Sequence, residues 1–304
     1  MDAWFVLQYR TDEASILTES LMLEREEYVE QAYFFRTLGE RLPKNMPLQE
    51  LLRQTREELL ASTNLPHAID FLRTELEHAG VFGTAMARLP HYFTPFQTYV
   101  IQEAENERGR FDMRIALEIL RSEAEYRTKG ASPQGLFLFH FETLSRNRLR
   151  YDKGLAAVAG DPLYDDAWRD WIMFVRHQVG FIDLADLLYM RSEYSNIRRK
   201  AQRGVVAEPE KPVLFGEKEG KIAFANRGKE PLYLFAALQR HLGYPAVPRP
   251  KPQDDSVDVL PLVLRRLERI EARLKIMEEE QRGGLDITKF YGEQPKFLPP
   301  PLAE

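Results

Sequence analysis

Ser132-Pro-Gln-Gly-Leu-Phe-Leu-Phe-His-Phe-Glu-Thr-Leu-Ser-Arg146 begins with a hydroxyl side chain before a proline, the pattern of a helix start. Behind it Leu136, Phe137, His140, Phe141, Leu144 and Leu149 repeat at helical spacing, so one face of the segment is large and apolar. The same punctuation recurs on both sides. Asn64-Leu-Pro66, Thr94-Pro95 and Asp161-Pro162 each set a capping side chain at or just before a first-turn proline. Gly80, Gly130 and Gly180 follow the expected ends. These signals predict helices over approximately 22–42, 47–61, 66–79, 95–108, 111–129, 133–152, 162–178 and 182–203. Trp168, Trp171, Ile172 and Val175 give the seventh another aromatic inner face. No fixed-period repeat is present, so the expectation is a mainly α fold, a helical bundle or irregular helical array, over residues 1–203.

Beyond residue 203 the pattern changes. Residues 204–212, with Pro209 and Pro212, read as a linker. Val213-Leu-Phe215 and Ile222-Ala-Phe-Ala225 flank a glycine-bounded polar stretch of a length suited to a small β-hairpin. A helix from Pro231 to Leu242, closed by Gly243, follows, and the hairpin is expected to lean on it or on the main body. The prolines at 245, 248, 250 and 252 make a semi-rigid spacer, so residues 204–255 are read as linker, small α/β element and spacer.

An amphipathic helix is expected over residues 256–283: Asp258 can cap it, Pro261 lies in its first turn and Gly283-Gly284 ends it. Leu260, Val263, Leu267, Ile270, Leu274 and Met277 form a heptad seam, with Arg266 and Arg273 at g facing Glu271 and Glu278 at e of a parallel neighbour. Leucine at a with isoleucine at d favours three or four strands. The competing expectation is that this helix docks on its own body, since Leu262 and Leu264 widen the apolar stripe. Residues 284–304, with Pro299-Pro300-Pro301, are expected to be a flexible tail.

The chain has 44% hydrophobic and 29% charged residues, which is the composition of a folded globular protein. Its 42 basic and 47 acidic residues give a net charge of −5, without the global field of a generic nucleic-acid or membrane binder. With no cysteine, disulfides, thiolate nucleophiles and sulfur-ligated zinc are excluded. No basic leader and no 18-residue apolar run is found, so no membrane association and a cytoplasmic location are expected.

Candidate chemistry is sparse. Glu75 and His78 have the Glu-x-x-His spacing of di-metal carboxylate bundles, with Glu24, Glu27, Glu103 and Glu118 as possible further ligands, but the second copy is missing. Asp161, Asp165, Asp166 and Asp170 resemble, over ten residues, the magnesium–diphosphate motif of isoprenoid synthases, which implies a facing acidic cluster such as Asp183 and Asp186. The basic run 191–203 offers Arg198, Arg199, Lys200 and Arg203 to phosphates, with Tyr189 and Tyr194 as stacking groups. No Walker loop, dinucleotide fingerprint or nucleophile elbow occurs, and the six histidines are scattered. The leading expectation is a non-enzymatic interaction or scaffold protein without a cofactor, self-associating through the seam and binding an unidentified protein. The alternatives are a metal-dependent helical enzyme using Glu75 and His78, and nucleic-acid binding through 191–203.

Overall fold

The computed structural model describes residues 23–44, 46–106, 111–203 and 211–249, together with residues 270, 271 and 274. The chain divides into two units, Met1–Pro250 and Lys251–Glu304. The described part of the first unit is helical. Its helices are α1 (Arg25–Arg41), α2 (Leu48–Glu58), α3 (Leu65–Ala79), α4 (Phe82–Ala87), α5 (Pro95–Glu105), α6 (Met113–Arg127) and α7 (Pro133–Arg146). They continue with α8 (Tyr151–Ala159), α9 (Asp166–Gln178), α10 (Leu184–Met190), α11 (Glu193–Arg203), α12 (Glu217–Ala225) and α13 (Pro231–Leu242). The array is irregular: α1 lies along α6, α8 packs on both α5 and α9, and α12 leans on α10 and α11.

The local signals work where cap and helix are neighbours. Thr94 and Gln97 form a reciprocal capping box at α5, and the Ser132 hydroxyl accepts from Gly135 N–H at α7. Gly80 and Gly243 close α3 and α13 with φ of 70° and 68°, the left-handed conformation that favours glycine. The apolar faces meet in one core, where Phe137 lies 4.7 Å from Trp171 and the Phe215 ring stands edge-on to both Trp168 and Trp171 at 5.2 Å.

Several expectations are corrected. The hairpin over 213–225 is absent, and its second half is helix α12. The polar stretch expected to turn is the body of that helix, with Lys221 paired to Glu217 one turn back. Leu214 and Phe215 are buried anchors, and only a single bridge joins Phe215 to Ser192. The helix expected from Pro162 begins at Asp166 with Asp165 as its cap, because Asp161 is drawn into the core by a distant cation. The 133–152 and 182–203 helices are each broken. Arg148 takes φ of 54° between α7 and α8, and buried Ser192 ends α10 by donating to Tyr189 C=O while accepting from Ser195 N–H.

Within the second unit Ile270, Glu271 and Leu274 are helical and exposed. Leu260, Val263, Leu267, Met277, Arg266, Arg273 and Glu278, and the tail, lie outside the described residues.

Candidate functional site

Ser192 and Gly220 position the site. A Cβ on Gly220 would lie 2.4 Å from Ser192 Oγ and 2.7 Å from Tyr194 Cβ, so glycine is what lets α12 close on the start of α11. Glu193 N–H donates to Phe215 C=O and Leu214 N–H donates to Arg191 C=O, both at 2.9 Å. Gln134 holds the Leu214 carbonyl from α7 at 2.8 Å. These bonds fix 211–215 along the α10–α11 junction.

Residues 211–213 thereby form one wall of a pocket of about 380 Å³, completed by α9, α10 and α11. Its apolar lining includes Trp171, Phe174, Leu187, Met190 and Val213. Its polar lining is Ser195, Asn196 and three cations, Arg191, Arg199 and Lys211. Arg191 Nη1 donates to Pro212 C=O at 3.2 Å, Arg199 Nη2 to Asn196 Oδ1 at 2.5 Å, and Lys211 Nζ stands 5.8 Å from the Phe174 ring centre. Burial pushes the Arg191 guanidinium below its usual range, opposed by the charge of Asp170. Among the described residues none of the three makes an ion pair, whereas Arg41, Arg56, Arg88, Arg150, Arg176 and Arg227 each meet a carboxylate. The Trp171 Nε1–H is buried without an acceptor.

The basic run is therefore split. Arg199 lines the pocket, while Arg198 stacks 4.2 Å from the Phe224 ring centre and Lys200 is exposed elsewhere on α11. The side chain of Arg203 lies outside the described residues. Tyr189 and Tyr194, expected as stacking groups, are turned on each other and on Phe224.

The suspected metal ligands are engaged separately. Glu75 pairs with Arg88 and His78 is exposed. Glu27 accepts from Asn64 N–H, Asn64 Nδ2 and the Tyr92 hydroxyl at 2.7–2.9 Å, and Glu103 pairs with Arg150. Among the described residues no three Asp, Glu or His side chains are grouped to hold a metal ion. The acidic run is likewise dispersed. Asp161 is buried, Asp165 caps α9, Asp166 pairs with Arg169, and Asp183 and Asp186 bind Gly228 N–H and Arg227.

Sequence reasoning missed a buried ionic cluster. Arg127 of α6 donates to Glu123 Oε1 at 3.0 and 2.6 Å, and also holds Asp161, with all three side chains inaccessible to solvent. The Arg127 guanidinium lies over the Tyr28 ring of α1 at 5.7 Å. His140 of α7 stacks on Phe96 at 3.8 Å and points Nε2 at Glu123 Oε1, 3.4 Å away. Burial pushes the Glu123 carboxyl up, but Arg127 and His140 outweigh it and the net displacement is downward. Glu142 does not join His140: it binds Arg146 and the Tyr244 hydroxyl. The Glu123/Arg127 spacing of four was a readable sign, but nothing local marked it as internal. The chain matches no family model, no curated protein and no solved structure.

Proposed function

We propose that the chain is a non-enzymatic interaction and scaffold protein that self-associates through the helix expected over 256–283. One observation carries the reading. Ile270 and Leu274, d and a positions one helical turn apart, are helical and remain 52% and 49% exposed. Apolar seam residues left half in water gain on the order of 1 kcal/mol each when a neighbouring chain covers them. Across a whole seam of six positions that gain favours assembly, and the Arg266–Glu271 and Arg273–Glu278 charge pattern selects a parallel register. Several copies of the helical body in one assembly would make its surfaces multivalent, which raises the avidity for a repetitive partner.

The test is the solution mass of the full chain and of its Ile270→Glu/Leu274→Glu variant by light scattering. A trimer or tetramer that becomes monomeric in the variant supports the proposal. A monomeric wild-type chain at concentrations of about 100 μM removes its basis, since Kd values weaker than this correspond to less than about 5.5 kcal/mol of association.

A further inference from the structure

We propose that the pocket between α9, α10, α11 and residues 211–213 binds a small amphipathic organic anion, a carboxylate or phosphate carried on a flat apolar body. The inference is independent of self-association. It starts from charge: in a chain of net charge −5, Arg191, Arg199 and Lys211 converge without an ion-pair partner among the described residues. Arginine presents a planar fork of donors that matches the two oxygens of a carboxylate or phosphate, and lysine adds a mobile point charge. Arg191 already has one donor on the Pro212 carbonyl, which holds its head at the pocket, and is partly desolvated there.

The apolar half of the ligand follows from the walls. Phe174 is 40% exposed and Met190 is 47% exposed, so aromatic and thioether surface faces solvent beside the cations. Methionine adapts its shape to flat guests, and a ring slid beside Phe174 would bury surface that the chain itself leaves uncovered. The volume of about 380 Å³ falls in the usual range of about 300–1,000 Å³ for small-molecule sites. Neither a neutral apolar guest nor a bare inorganic ion uses both halves of this lining.

Titration calorimetry of the full chain tests the assignment with 2-naphthoate and 1-naphthyl phosphate, the two oxyanions being compared directly. The controls are 2-naphthalenemethanol and inorganic phosphate. The expected result is saturable binding of one or both naphthyl anions, at least tenfold tighter than either control. That binding should fall at least tenfold in Arg199→Gln/Lys211→Gln, whose side chains are exposed enough to leave the melting temperature unchanged. It should be unaltered in Lys200→Gln, on the same helix but outside the pocket. The assignment is overturned if neither anion binds, if the neutral alcohol or inorganic phosphate binds as tightly, or if the double variant binds like wild type.

Discussion

Replacing Arg127 with methionine keeps most of the side-chain volume and deletes the guanidinium that both Glu123 and Asp161 face. Glu123 and Asp161 are then left as two inaccessible carboxylates; Asp161 keeps one backbone donor, Leu163 N–H at 3.0 Å, and Glu123 keeps His140. Breaking a buried ion pair from one side costs about 3–5 kcal/mol, because the remaining charge has no compensation. With an m-value of about 3 kcal/mol/M, the urea midpoint at pH 7 should fall by roughly 1–2 M. Neutralising the partners as well, in Glu123→Leu/Arg127→Met/Asp161→Asn, should recover most of that loss, since a buried ionic triad is worth little over an apolar replacement. The pH dependence separates charge from packing. In the wild type the Glu123 carboxyl sits below its unfolded value, so its contribution is present above about pH 4.3 and is lost as pH falls through the folded value. In Arg127→Met the guanidinium no longer opposes burial at Glu123, so the deficit should be largest near pH 7 and shrink toward pH 5 as that carboxylate takes up a proton. Tyr28, His140 and Tyr164 face the cluster, and burial pushes the two tyrosine hydroxyls up, away from this window. A deficit under about 1 kcal/mol, or one that does not shrink from pH 7 to pH 5, would refute the reasoning.

Glu105 of α5 accepts from both Phe82 N–H and Gly83 N–H at 2.7 Å, capping α4 from another helix, so Glu105→Ala should cost about 1–3 kcal/mol and raise amide exchange selectively at residues 82–87. A Cβ on Gly154 would meet Leu144 Cδ2 at 2.5 Å inside the core, so Gly154→Ala should lose about 1–3 kcal/mol by urea denaturation despite the better helix propensity of alanine; equal or greater stability would show that Leu144 has room to turn away.

What was legible in the sequence is what lies within one helical turn. Thr94 with Gln97, Ser132 with Gly135, and Gly80 at the end of α3 each act on their immediate neighbours, and each was readable. Asp161 was equally readable as a cap, but its use is set by Arg127, 34 residues earlier, and the helix behind it starts later in consequence. The same non-local competition removed the hairpin. Gly216 and Gly220 look like turn residues, yet Gly220 is there because Ser192 and Tyr194 approach it too closely for a side chain. In the basic run, adjacent Arg198 and Arg199 diverge, one onto Phe224 and the other into the pocket. Their difference depends on the rotation of α11 about its axis, which the Ser192–Gly220 contact fixes and no periodicity in 191–203 encodes.

The distribution of charge explains how a chain of net charge −5 carries a locally positive pocket. Much of the acidic excess is spent on internal bonds: Glu27 and Glu30 of α1 take the Asn64 and Leu60 N–H groups leading into α3, Glu105 caps α4, and Glu123 with Asp161 neutralises Arg127. A carboxylate that accepts two or three buried donors, or faces a buried guanidinium, contributes little field at the surface beyond a Debye length of about 8–10 Å. Cations left without such partners then dominate their own neighbourhood, whatever the sign of the whole chain. At the α9–α11 pocket that local excess is positive and sits against apolar and aromatic walls of lower dielectric than water, where a charge–charge contact is stronger than on the open surface. An acidic chain can therefore hold an anion at short range while offering it no long-range attraction, so affinity there must come from contact geometry rather than from steering.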